Sequence, residues 1–151
     1  MTTPEQRVIA LIDNANHPNK AELESLFDSL QPASPELLMG EWNGGSFETG
    51  HPSDPWLKEI RWVGKIFKSV DDIYPIIALD DDGKKVWLEK WGGAQLLEGK
   101  YRGVVSAAMV YDNYPIVDYF RRVSDDVIMG MMDAKQWRDA GPSFFYLKRA
   151  I

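Results

Sequence analysis

Apolar residues along the chain change their period near residue 40. Before that point they recur at helical spacing; after it they fall into short runs separated by Gly, Pro, Asp and Asn. Thr3-Pro4-Glu5 reads as a helix start, with Thr as cap, Pro in the first turn and an acid near the positive end of the helix dipole. Val8, Leu11 and Ile12 give that helix one apolar stripe. A second start lies at Asn19, and Leu23, Leu26, Phe27 and Leu30 keep the helical period until Gln31-Pro32 stops it. Ser34-Pro35-Glu36 opens a third, short helix that delivers Leu37, Leu38 and Met39 to Gly40. These helices read as a cover for the rest of the chain.

From Gly40 the pattern predicts strands and turns. A glycine-rich strand spans 40–49, a short helix runs from Asp54-Pro55 to about Ile60, and strands follow over 63–67 and 73–79. Asp80-Asp81-Asp82-Gly83 breaks the last of these, and Lys85-Val86-Trp87-Leu88 resumes it as a hairpin. Further strands are predicted over 104–111, 116–123, 127–132 and 144–149, with turns at Asn113-Tyr114-Pro115 and Ser124-Asp125-Asp126. About eight closely spaced strands after a helical prefix predict a barrel or a strongly curled sheet, since closure removes exposed edges. One domain over 1–151 suffices, divided into a helical prefix (1–39) and a β-barrel (40–151).

Composition narrows the function. Aromatic residues make up 12% of the chain, enough to fill or line a bulky apolar space. A net charge of -6 opposes nucleic-acid binding, which needs clustered Lys and Arg. The absence of cysteine excludes disulfides, thiolate metal sites and Cys nucleophiles. The N-terminus lacks the basic head and apolar run of a signal peptide, and no apolar stretch reaches membrane-spanning length, so the expectation is a cytoplasmic protein without membrane insertion.

Gly40-Glu41-Trp42-Asn43-Gly44-Gly45 is the most distinctive segment. Its glycines permit tight bending beside an indole that plugs one end of the sheet, and Arg149 in the last strand is the candidate to stack over Trp42. Gly40, Trp42, Gly44 and Arg149 are therefore read as barrel-closing residues rather than ligand contacts. The segment resembles the family named for its G-x-W-x-G signature, with further similarity through Gly50-His51-Pro52, Trp62-Val63-Gly64-Lys65-Ile66-Phe67 and Tyr74-Pro75-Ile76. The second half resembles the domain of unknown function that accompanies that signature, in Tyr111-Asp112-Asn113-Tyr114-Pro115-Ile116-Val117-Asp118, in Val127 to Asp133 and in Phe145-Tyr146-Leu147. A more distant similarity is to the calycins, including lipocalins, fatty-acid-binding proteins and the haem-binding nitrobindins, which share a Gly-x-Trp on the first strand and a late basic residue over it. That resemblance implies a lipocalin-like antiparallel barrel; it is an analogy of fold, not of activity.

Candidate chemistry is sparse. A nitrobindin-like haem needs a proximal His on a late strand, but the histidines are His17 and His51, so no cofactor is expected. No nucleophile elbow or Walker loop occurs, and Asp80-Asp81-Asp82-Gly83 lacks the spaced ligands of a calcium site. His51 and Asp118 are the candidates for a protein base, Asp118 sharing a strand face with Ile116 and Phe120. Against this, Asp118 is expected to face solvent or to pair with Arg121 or Arg149, and Asp112 to cap the turn before Pro115.

The leading expectation is a carrier or sensor of a small hydrophobic molecule, such as a fatty acid, inside a barrel. Expected ligand contacts are Trp62, Phe67, Tyr111, Tyr119, Met129 and Met131, with His51 and Lys65 as polar contacts. One alternative is a cofactor-free lyase or isomerase with His51 or Asp118 as base; the other is a solid-core interaction module. A homodimer is left open.

Overall fold

The computed structural model describes residues 1–14 and 18–151 of the chain, so His17 lies outside the described residues. Four α-helices are described: α1 (Pro4–Asn14), α2 (Lys20–Ser29), α3 (Pro35–Leu38) and α4 (Ser53–Ile60). The strands are β1 (Gln31–Pro32), β2 (Gly40–Phe47), β3 (Trp62–Ser69), β4 (Asp72–Leu79), β5 (Lys85–Trp87), β6 (Ala94–Tyr101), β7 (Val104–Tyr111), β8 (Ile116–Ser124), β9 (Val127–Ala134) and β10 (Ser143–Arg149). The caps match the sequence reading: Asn19 Oδ1 accepts from the N–H groups of Ala21 and Glu22, and Ser34 Oγ from that of Leu37.

The fold is mainly β, an antiparallel barrel with a helical cover, as expected. Strands β2, β3, β4, β6, β7, β8, β9 and β10 pair in chain order, and β10 returns to pair with β2. This is an up-and-down barrel, with β1 added beside β8 and β5 beside β4. Strand β6 has no counterpart in the hydrophobic pattern. Only Ala94 and Leu96 are buried in it, and Glu98-Gly99-Lys100 reads as a turn. It completes the ring through one registered pair with β4, Ile73 opposite Ala94.

Strand alternation sorts the buried side chains into two cores. The barrel interior holds Trp42, Phe67, Ile73, Ile76, Met109, Ile116, Phe120, Ile128, Met132 and Phe145 among others. The second core lies outside the barrel wall, where Val8, Leu11, Leu23 and Phe27 of α1 and α2 pack on Phe47, Val123, Met129, Met131 and Phe144. The helical prefix therefore covers a wall of the barrel. Arg121 sits in this outer layer, fully buried, its guanidinium donating to the carbonyls of Phe27 (2.8 Å) and Leu30 (3.3 Å) at the end of α2.

The seam between β2 and β10 brings Trp42 opposite Arg149. The Arg149 guanidinium lies 4.2 Å from the Trp42 ring centroid and donates to the carbonyls of Leu37 and Met39, while the indole N–H donates to Leu38. Gly40 takes a φ of 111°, disfavoured for other residues, and a Cβ there would lie 3.5 Å from that guanidinium. Gly44 leaves room for the Trp62 ring, which a Cβ there would strike. All four residues lie on the two strands of that seam.

Candidate functional site

A cavity of about 30 Å³ lies inside the barrel, lined by Trp56 and Leu57 of α4, Trp62 and Lys65 of β3, and Ile76, Tyr111, Ile116, Asp118, Met132, Ser143 and Phe145. Its floor is set by register. Asp118 and Ser143 both stand opposite Met132, on β8 and β10 either side of β9, so the three occupy one row across the barrel wall. Asp118 shares its face with Ile116 and Phe120, as its parity predicts.

Two opposite charges meet in this apolar space. Lys65 Nζ lies 3.1 Å from Asp118 Oδ2, and both side chains are almost wholly buried, at 3% and 2% exposure. Nζ also donates to the Pro75 carbonyl (3.2 Å) and faces the Tyr111 hydroxyl (3.5 Å). Three rings surround the ammonium: Trp62, Tyr111 and Phe145, with centroids at 5.3, 5.7 and 5.2 Å. Asp118 Oδ1 has no hydrogen-bond partner among the described residues, nor does the Trp62 indole N–H. Burial lowers the pKa of Lys65 against the opposing charge and hydrogen bond of Asp118. Burial likewise raises that of Asp118 against Lys65. Burial, reinforced by the Asp118 charge, pushes Tyr111 well above its ordinary value. The pair is thereby drawn toward sharing one proton rather than holding two full charges.

The other polar wall is a relay. Ser143 and Ser53 hydroxyls are 3.1 Å apart, and Ser53 Oγ is 2.8 Å from His51 Nδ1. His51 Nδ1 also accepts from the Ser53 backbone N–H, and Nε2 lies 3.0 Å from the Gly141 carbonyl, which can only accept. The proton therefore belongs on Nε2, leaving Nδ1 as the acceptor end. Burial lowers the His51 pKa, partly opposed by the Gly141 carbonyl and Asp54. Asp54 Oδ2 holds the turn by accepting from the N–H groups of Gly50 and His51.

Above the cavity, four connections converge with half-buried aromatic side chains. Trp56 packs edge-on to Trp91 (4.7 Å) and near Trp137 (6.2 Å); Tyr114 packs on Trp91 (5.1 Å). Trp137 meets the His51 ring at 5.8 Å.

Of the expected contacts, Trp62, Tyr111 and Lys65 line the cavity. Phe67 is in the barrel interior but packs on Phe120 (6.0 Å) away from it. Tyr119, Met129 and Met131 point the other way, into the helix-covered layer, because their parity is opposite to that of Asp118 and Met132. Tyr119 stacks there on Tyr101 at 3.9 Å. His51 reaches the cavity only through Ser53 and Ser143. Asp118 pairs with neither Arg121, which faces outward, nor Arg149, whose carboxylate partner is Asp126. Asp112 is exposed, and the Asp80 carboxylate accepts from the N–H groups of Asp82 and Lys84 as a solvated turn. Met132, Ser143, Ser53 and the tryptophans Trp56, Trp91 and Trp137 were not among the expected contacts. Met132 stands opposite Asp118 across the β8–β9 hairpin and Ser143 opens β10, whereas Ser53 and the tryptophans sit on connections whose meeting depends on barrel closure.

Two families match the chain. The GXWXG protein family covers residues 25–83, and the domain of unknown function DUF4334 covers residues 92–149. The first contributes Trp56, Trp62, Lys65 and Ile76 to the cavity, the second Tyr111, Ile116, Asp118, Met132, Ser143 and Phe145. The Lys65–Asp118 pair thus joins the two regions. A solved structure, the crystal structure of a protein from Thermomonospora curvata, is 39% identical, with 98% of this chain and 99% of that one covered and a TM-score of 0.93. No curated protein matches the chain. No helix among the described residues is long and apolar enough to cross a membrane.

Proposed function

We propose that this chain, which belongs to the GXWXG family and carries the DUF4334 domain as its second half, binds a compact, mainly apolar molecule bearing a hydroxyl or carbonyl group. The ligand sits in the barrel against Lys65, Tyr111 and Asp118. The observation that carries this reading is the bare Asp118 Oδ1, buried on the wall of an aromatic cavity. Taking each ion of such a pair out of water costs several kcal/mol. Leaving a buried acceptor unmade costs roughly 1–3 kcal/mol more. A ligand hydroxyl supplies the missing donor, while Lys65 and Tyr111 donate to a ligand oxygen and the rings cover the apolar body.

Size restricts the ligand. About 30 Å³ accommodates a couple of water molecules, so an organic ligand must displace the half-buried Trp56 and Leu57 at the mouth. A fatty acid or other lipid-like chain is the extended form of the same reading and demands a larger movement of α4. Compact compounds are therefore favoured. A cofactor-free lyase or isomerase with Asp118 as base is the second reading, supported by the burial that raises its pKa.

Tryptophan fluorescence tests the proposal, since Trp56 and Trp62 line the cavity. Titration with phenol, cyclohexanol, cyclohexanone and octanoate, alongside native mass spectrometry of the freshly purified protein, should give saturable one-to-one binding of the compact compounds, weakened by Tyr111→Phe. A protein without any co-purified adduct and without a saturable response to any of the four refutes it.

A further inference from the structure

A hydroxyl ligand needs a donor and an acceptor, which neutral side chains supply at lower desolvation cost than an ion pair. What a buried lysine adds is a nucleophilic nitrogen. The other lysines are exposed or half-exposed, whereas Lys65 Nζ is held on the cavity wall between a carboxylate at 3.1 Å and a phenol at 3.5 Å. The geometry points to Lys65 as the nucleophile that captures a carbonyl ligand of this pocket as an iminium, an inference that rests on the proposed binding of such a ligand in the barrel.

The groups present balance the step. Transfer of one proton from Nζ to Asp118 Oδ2 turns the ion pair into a neutral amine and a carboxylic acid. The nitrogen lone pair then attacks the carbonyl carbon, forming the C–N bond as the C=O π electrons move to oxygen. One N–H proton passes to that oxygen, with Tyr111 or the carboxyl group in reach to relay it. The Asp118 proton next moves to the resulting hydroxyl, the C–O bond breaks, and water leaves as the C=N bond forms. The sum is amine, carboxylic acid and carbonyl going to iminium, carboxylate and water. The cation has moved no further than one bond, so Asp118 and the rings of Trp62, Tyr111 and Phe145 stabilise the product as they stabilised the ammonium. Burial, which lowers the Lys65 pKa, favours the neutral amine that must attack.

The test uses the wild-type protein with propanal and benzaldehyde at pH 6.5, with sodium cyanoborohydride to reduce any iminium, followed by peptide mapping. Binding of the same aldehydes is followed separately by tryptophan fluorescence without reductant. An ordinary lysine is neutral in only about one molecule in several thousand at that pH, so Lys65 should be alkylated at least about ten-fold faster than any other lysine. Asp118→Asn, which removes the carboxyl that takes up and returns the proton, should slow that labelling. Saturable binding with alkylation spread over the exposed lysines overturns the iminium and leaves the binding reading standing. Loss of both, with no aldehyde binding and no Lys65 labelling, overturns the two together.

Discussion

Replacing Lys65 with Met removes the cation beside Asp118 while keeping most of the side-chain volume. In the variant the Asp118 carboxyl must be protonated to stay buried. Protonating an ordinary carboxyl at pH 7 costs about 4 kcal/mol, since its pKa of about 3.9 lies some three units lower and each unit is worth about 1.4 kcal/mol. That agrees with the roughly 3–5 kcal/mol expected for breaking a buried pair. The sign comes from linkage: the folded variant holds a proton that the unfolded chain releases above pH 4, so the variant loses stability as pH rises. In the wild type the pair holds the same number of protons folded and unfolded near neutrality, whichever member carries the shared one. The difference between the two proteins therefore isolates Asp118. Urea denaturation at pH 5, 6 and 7, followed by fluorescence, should show a deficit of about 4 kcal/mol at pH 7 that shrinks by about 1.4 kcal/mol per unit of acidification. The double variant Lys65→Met/Asp118→Leu should recover wild-type stability or exceed it by about 1–4 kcal/mol, while losing ligand binding. A single variant costing under about 1 kcal/mol with no pH dependence refutes the reasoning. So does a double variant as weak as the single one, which would assign the loss to packing instead of charge.

Gly130→Ala should destabilise by roughly 1–3 kcal/mol in the same assay, because a Cβ there strikes the buried Phe145 ring. Arg121→Met should cost about 2–3 kcal/mol through the orphaned carbonyls of Phe27 and Leu30, yet leave ligand affinity unchanged, because Arg121 is in the outer layer. The His51 ring should titrate below the ordinary histidine value by NMR. Since its folded pKa is depressed, its contribution to stability is present above the unfolded value and lost as pH falls through the folded one, which thermal unfolding between pH 7 and 5 will show.

The barrel was legible because each strand of the closed ring except β6 carries its own apolar positions and its own turn. Helix starts at Asn19 and Ser34 were legible for the same local reason. The site was half legible. Lys65 has the parity of the buried Phe67 and Asp118 that of the buried Phe120, so alternation alone puts both inward, against the expectation that Asp118 faces solvent or pairs with an arginine. Their pairing is a long-range fact that depends on closure across β3 and β8. In β9 both faces are buried, one by the barrel interior and one by α1 and α2, so hydrophobicity alone cannot separate Met129 and Met131 from Met132. The collar of Trp56, Trp91 and Trp137 comes from three connections far apart in sequence, and no local pattern announces it.

That same division of methionines supplies the most direct measurement. With the methionine methyl groups labelled with carbon-13, cyclohexanol or benzaldehyde is titrated in and the methyl resonances are followed by NMR. Binding in the cavity beside Lys65 and Asp118 should shift Met132 strongly, leaving Met129 and Met131 in place. Shifts at Met129 and Met131 with Met132 unmoved would put the ligand beneath the helices and contradict the assignment of the barrel interior as the binding site.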